Sequence, residues 1–106
     1  MGIDTLLEHE IVRRILTVSA PEKIILFGSA VSGEITRDSD IDLMIVEPEL
    51  ADRNDTYVRI RSALRGMGFP FDIILLSKAW FEESKDVIGG IAYPANKYGK
   101  VIYEAA

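Results

Sequence analysis

Residues 27–46 read FGSAVSGEITRDSDIDLMIV, and this stretch decides the fold. The apolar run Lys23–Phe27 has the length and isoleucine content of a strand buried on both faces, and Ile41–Val46 predicts a second strand. Gly28-Ser29 directly follows the first strand, and Asp40-Ile41-Asp42 opens the second after ten intervening residues. The spacing predicts two strands joined by a short polar segment with one weak helical turn.

Helical and strand patterns alternate along the rest of the chain. Apolar residues recur every four positions from Asp4 to Val18 and predict a helix, with Thr5 and Glu8 as its capping box. The remaining predicted elements are helices at Asp52–Arg65 and Lys78–Ser84, strands at Phe71–Leu76 and Val101–Tyr103, and a weaker helical pattern over 87–92 that runs into Pro94. This alternation indicates an α/β (α+β) fold, a small mixed sheet of about four strands with helices packed mainly on one face.

The composition is typical of an ordinary globular chain. With 106 residues, 48% hydrophobic and 27% charged, we expect one domain spanning residues 1–106. Twelve basic against seventeen acidic residues leave a formal charge of -5, which disfavours non-specific binding to nucleic acid or anionic lipid. The absence of cysteine excludes disulfides and thiolate zinc sites and favours the cytoplasm. Every apolar run is much shorter than the about 20 residues of a membrane-spanning helix.

Two aspartates at the start of the second strand are candidates for a metal site. Asp40 and Asp42 are two residues apart, so their side chains point to the same face, about 6.6 Å apart along the strand. Carboxylates held this close repel each other unless a cation or hydrogen-bond donors compensate. The alternative is a solvated acidic loop, because Asp38-Ser39-Asp40 also fits turn chemistry.

Asp72 is a third acidic residue, and its position within an apolar strand is unusual. It interrupts the apolar run of the third strand, where a charge is costly unless it is paired or bound to a cation. Asp72 either reaches water at an edge or strand start, or joins Asp40 and Asp42 from an adjacent strand. In the second case three carboxylates would hold hard cations such as magnesium, which bridge nucleotide phosphates. Gly28-Ser29 fits either an ordinary turn or a site where backbone and hydroxyl groups meet a phosphate.

Together, Gly28-Ser29, the run Ser39-Asp40-Ile41-Asp42-Leu43 and Asp72 resemble the nucleotidyltransferase fold of the DNA polymerase beta superfamily, in particular its minimal nucleotidyltransferase branch. The resemblance spans nearly the whole chain, to the closing segment Gly99–Glu104. It implies that Gly28 and Ser29 hold a triphosphate and that Asp40, Asp42 and Asp72 bind magnesium, two ions in all. Asp72 also helps to deprotonate an acceptor hydroxyl. The implied reaction transfers a nucleoside monophosphate, AMP from ATP, and releases pyrophosphate.

The sequence departs from this family at one point. Many minimal members have arginines directly after the Gly-Ser pair, whereas this chain has Ala30-Val31-Ser32. A basic contact to the triphosphate is then either absent or supplied by Arg37.

The resemblance also bears on the partner. Larger members of the superfamily grip the acceptor with an added domain, for which 106 residues leave no room, so we expect another chain to complete the acceptor site. The resemblance suggests a helical HEPN-domain protein, as in toxin–antitoxin pairs, with AMP transferred to one of its tyrosine hydroxyls.

Two other functions remain open. The chain is alternatively a non-catalytic antitoxin or binding subunit that neutralises its partner by contact and keeps a relict nucleotide site. The third alternative is a small-molecule transferase of the aminoglycoside-modifying kind, acting as a homodimer whose neighbour supplies the acceptor wall.

Overall fold

The computed structural model describes residues 4–32 and 39–106, with the backbone alone for Ser29 and Ser32, so Arg37 lies outside the described residues. Within these ranges no helix is both long and apolar enough to cross a membrane. The α/β class predicted from the sequence is confirmed. The elements in chain order are α1 (Thr5–Leu16), β1 (Lys23–Phe27), α2 (Ser29–Ser32), β2 (Ile41–Glu47), α3 (Arg53–Ala63), β3 (Phe71–Ser77), α4 (Lys78–Ser84), α5 (Tyr93–Tyr98) and β4 (Lys100–Glu104).

The four described strands form one mixed sheet in the order β3-β2-β1-β4. β1 pairs antiparallel with both β2 and β4, whereas β2 and β3 are parallel. A parallel pair needs a crossover connection, and α3 provides it. As a result, the carboxyl end of β1 and the amino ends of β2 and β3 all lie at the same end of the sheet.

Alternate strand residues divide the core between the two faces of the sheet. On the first, the α1/α3 face, side chains of β1, β2 and β3 pack against the two long helices: Ile24, Leu26, Ile41, Leu43, Ile45, Ile73 and Leu75 with Ile11, Ile15, Ile60 and Leu64. On the second, the α4/α5 face, the covering elements are short: Ile25, Met44, Val46 and Leu76 pack with Phe81, Ala92 and Ala95. The longer helices therefore cover one face, and only short helices cover the other.

The amino end of α1 differs from the prediction. Asp4 is the N-cap residue, and its side chain accepts a hydrogen bond from the backbone N–H of Leu7 at 2.8 Å. The predicted capping box of Thr5 and Glu8 is therefore wrong, because Thr5 is already helical. The carboxylate of Glu8 instead pairs with Nζ of Lys100 at 2.7 Å, which joins α1 to β4.

The segment before β4 also differs from the prediction. Residues 87–92 form turns, with Gly89 at a φ of 88°, and the last helix begins only at Tyr93. Pro94 lies in the first turn of that helix, where its missing N–H costs no hydrogen bond. The helix predicted over 87–92 is thus wrong, because the proline begins a helix here.

Glu47, at the end of β2, is a buried carboxylate with a folding cost. It is 6% exposed, and its Oε2 atom has no hydrogen-bond partner among the described residues. Burial raises the pKa of Glu47, although the nearby Ser19 hydroxyl and the charge of Arg59 favour the ionised form. The folded protein therefore binds this proton more tightly than the unfolded chain, so the contribution of Glu47 to stability falls as the pH rises above the ordinary pKa of 4.5.

We expect Glu47→Gln to raise the free energy of unfolding at pH 8 by about 1 kcal/mol, because it removes an ionisable group from a buried position. The gain over the wild type should shrink as the pH approaches 4.5, where the carboxyl is protonated in both states. Urea unfolding at several pH values measures this. Glu49→Gln, the same change at an exposed neighbour, is the control and should alter nothing. A gain in stability for Glu47→Gln that does not change with pH would show that burial does not raise the pKa of Glu47.

A candidate carboxylate site at one end of the sheet

Two of the predicted site residues meet across the parallel strands. Asp42 on β2 lies in direct register with Asp72 on β3, so both side chains project on the α4/α5 face. Asp42 is also the register partner of Phe27, the last residue of β1. Asp42 is partly buried, whereas Asp72 is exposed at the start of its strand. The structure therefore places the third acidic residue on the same side of the sheet as the second.

The negative charge of Asp72 acts on the carboxyl group of Asp42. Burial raises the pKa of Asp42, and the negative charges of Asp72 and Asp40 raise it further. A protonated Asp42 can also donate a hydrogen bond to the Asp72 carboxylate, which favours the protonated form of Asp42. Negative charge is thus concentrated at this end of the sheet, and a bound cation would lower the repulsion between the carboxylates.

Gly28 is required by the position of Asp42. Its φ is 69°, in the region that favours glycine, and it follows β1 directly. A Cβ atom built on Gly28 would lie only 2.2 Å from Oδ2 of Asp42. The close approach that the sequence predicted between this glycine and a ligand is, in the structure, an approach to a carboxylate of the chain itself.

The donor chemistry of the site fits magnesium. Carboxylate oxygens are hard ligands of the kind that magnesium takes in proteins. Within residues 4–32 and 39–106, however, no three acidic, histidine or cysteine side chains stand together in metal-binding geometry. Asp42 and Asp72 form a pair, and exposed Asp40, one residue before β2, acts on Asp42 through its charge without completing a set of three.

Ala30 and Val31, in the segment after Gly28, turn their side chains inward. The backbone of Ser29 begins α2, and Val31 N–H donates to the carbonyl of Gly28 at 3.1 Å. Ala30 is 1% exposed and belongs to the core of the α1/α3 face, against which Val31 also packs. Side chains at positions 30 and 31 therefore point away from the carboxylate pair.

The contact between Gly28 and Asp42 was missed at the sequence level. Antiparallel pairing of β1 with β2 would have predicted it, because this pairing brings the end of the first strand beside the start of the second. The sequence indicated both strands but not which strands were neighbours.

Comparison with known proteins bears on what this site does. A family model described as the nucleotidyltransferase domain matches residues 9–93. A comparison with curated proteins found no significant match. The fold is similar to a toxin–antitoxin crystal structure with AMP-PNP, with a TM-score of 0.69 and 18% identity over 92% of this chain and 73% of that one. The fold is also similar to a nucleotidyltransferase candidate from Sulfolobus solfataricus, with a TM-score of 0.61 and 19% identity over 93% of this chain and 79% of that one. For a mutant of the toxin–antitoxin MntA-HpeT the TM-score is 0.66 and the identity 18%, over 92% of this chain and 73% of that one.

We expect Asp72→Asn to lower the pKa of Asp42, because it removes the neighbouring charge that raises this pKa most. The pKa should stay above its ordinary value of 3.8, since burial, the leading cause, is unchanged. Carbon-detected NMR of the Asp42 carboxyl group over a pH series measures both effects. Asp86→Asn, an equal charge change at an exposed turn, is the control. An Asp42 pKa that is the same in both variants would show that the two carboxyl groups do not interact.

Proposed function

We propose, because this chain belongs to the nucleotidyltransferase domain family, that it transfers AMP from ATP to an acceptor hydroxyl. The observation that supports this most directly is the carboxylate pair of Asp42 and Asp72 beside Gly28. Such a pair concentrates negative charge where hard cations bind. The similarity of the fold to a toxin–antitoxin structure with AMP-PNP supports ATP as the nucleotide.

Asp42 and Asp72, together with Asp40, would hold the magnesium ions. The raised pKa of Asp42 supports this role, because a bound cation would offset the charges that raise it. When bound, magnesium would neutralise phosphate charge and make the acceptor hydroxyl a better nucleophile. Gly28 and Ser29 would hold the triphosphate at the end of β1, beside the carboxylates.

The proposed reaction is an in-line substitution at the α-phosphorus. The acceptor oxygen bonds to that phosphorus, the bond to the oxygen that bridges the α- and β-phosphorus breaks, and pyrophosphate leaves with that oxygen. Asp72, exposed at the strand start, receives the proton of the acceptor hydroxyl. Asp42 stays fixed against Gly28, so the chain acts mainly by positioning the reacting groups.

We further propose that the acceptor is a tyrosine hydroxyl on a partner protein of the HEPN type, which gives the chain an antitoxin role. Its support is the similarity in fold to two toxin–antitoxin structures and the resemblance of the site motifs to minimal nucleotidyltransferases. In this proposal residues 1–106 act as one minimal domain in the cytoplasm, and the partner supplies the acceptor wall.

One observation favours a second function. Residues 30 and 31 face the core instead of offering basic groups to a phosphate. A chain that offers no basic group at these two positions could neutralise its partner by binding alone, with a relict nucleotide site. Nucleotide binding and transfer to the partner separate the two functions.

We expect the chain, incubated with magnesium, its HEPN-type partner and ATP labelled at the α-phosphate, to transfer label to the partner. ATP labelled at the γ-phosphate should transfer none, because the γ-phosphate leaves in pyrophosphate. Asp42→Asn should reduce transfer by about a hundredfold or more, since it removes a charged group from the reacting centre. Gel autoradiography of the partner measures the transfer.

Asp86→Asn is the control for this assay and should transfer label at the wild-type rate. Label from the γ-phosphate would indicate a kinase instead. An intact complex that binds magnesium-ATP but transfers no label would contradict the enzymatic proposal and support the binding subunit.

Gly28→Ala and Gly66→Ala should both lower stability, but only Gly28→Ala should also weaken nucleotide binding. Both glycines have positive φ, 69° and 87°, so alanine at either site should lower the free energy of unfolding by at least about 1 kcal/mol. Only at Gly28 would the new Cβ displace the Asp42 carboxylate, because nothing lies within 4 Å of a Cβ at Gly66. Magnesium-ATP affinity, measured by calorimetry, should fall about tenfold or more for Gly28→Ala alone. Equal affinities in the two variants would refute the role of Gly28.

A further inference from the structure

Among the described residues, Lys97 is the lysine that forms no ion pair. It lies in the last turn of α5 and is exposed, and within the described residues it has no acidic partner. Its ammonium group lies over the rings of Tyr93 and Tyr98, at 5.7 and 5.8 Å from their centroids. Each of the other four lysines pairs with a glutamate: Lys23 with Glu104, Lys78 with Glu22, Lys85 with Glu82 and Lys100 with Glu8.

The carboxyl end of α5 lies at the same end of the sheet as the carboxylate pair. Lys100, the first residue of β4, is the register partner of Leu26, and the next residue of β1, Phe27, is the partner of Asp42. Gly99 packs against β1, since a Cβ there would lie 2.7 Å from the carbonyl oxygen of Leu26.

α5 is also on the same face of the sheet as the carboxylates. Ala95 is buried in the core of the α4/α5 face with Ile25 and Met44. Asp42 lies on this face because it is two residues before Met44 on β2. Lys97 therefore projects from a helix whose end borders the proposed nucleotide site.

A basic side chain beside the proposed site would bind the distal phosphates of a triphosphate in addition to magnesium. Ala30 and Val31 supply no such group, because both side chains are uncharged, and both pack with the core of the α1/α3 face. The two ring contacts hold Lys97 only weakly, because an exposed cation–π contact is a minor stabilisation compared with a charge-assisted hydrogen bond to phosphate. The long, flexible lysine side chain can exchange one for the other.

We propose that Lys97 binds the β- and γ-phosphates of the nucleotide, a basic contact that Ala30 and Val31 do not offer. This inference rests on the proposed function, because it assumes ATP beside the carboxylate pair. Tyr93 and Tyr98 position the ammonium group before the nucleotide binds. Lys97 is thus a determinant of triphosphate over monophosphate binding.

The test compares ATP with AMP, both with magnesium, by isothermal titration calorimetry of the full chain. Lys97→Gln should weaken ATP binding about tenfold and leave AMP binding unchanged, because only ATP has the distal phosphates. Lys97→Arg should restore most of the ATP affinity. Lys78→Gln is the control of equal charge change, since Lys78 directly follows β3 at the opposite end of the sheet.

Each outcome decides something different. A wild-type chain that binds no magnesium-ATP contradicts the proposed function itself. Normal wild-type binding with an unchanged ratio of ATP to AMP affinity in Lys97→Gln overturns the role of Lys97 alone. A loss of thermal stability in Lys97→Gln without a change in that ratio assigns the lysine to the negatively polarised carboxyl end of α5 and likewise overturns the proposal.

Discussion

The parallel register of β2 with β3 is the constraint on which the rest of the site depends. It sets Asp42 directly beside Asp72, at the end of the sheet where β1 also finishes. Two acids far apart in sequence thereby become neighbours on one face, and burial of Asp42 makes their mutual repulsion costly. A shift of β3 by one residue would move Asp72 to the opposite face and dissolve the pair.

The strands could be predicted from the sequence, and the pairing between them could not. β1 has the predicted bounds and β2 ends one residue later than predicted, because continuous apolar runs bounded by glycine and proline define buried strands. Side-chain alternation predicts that Asp40 and Asp42 share one face, although in the structure Asp40 lies one residue before β2. It does not say which strand lies beside them, since that depends on how α3 crosses over the sheet. The helix predicted over 87–92 is wrong because the prediction places Pro94 after a helix. A proline in the first turn begins a helix as readily as a proline beyond the last turn ends one.

The segment after β1 shows how one short stretch serves both the core and the site. Gly28 leaves room for the Asp42 carboxylate, whereas Ala30, two residues later, is buried among the side chains of the α1/α3 face. Because Ala30 is buried in the core, position 30 is not available for a basic side chain that contacts a phosphate. This division explains why the sequence motif alone gave an incomplete account of the site: Gly28 could be identified as a close-approach position, but its neighbour could not.

The central claim is that Asp42 and Asp72 form a cation site in which a nucleotide binds. The most direct measurement is a crystal structure of the chain with manganese, a heavier substitute for magnesium, and a non-hydrolysable ATP analogue, with the metal located by anomalous scattering. We predict an anomalous peak coordinated by Asp42 and Asp72, with the triphosphate beside Gly28. A fully bound analogue whose metal lies away from both aspartates would contradict the account.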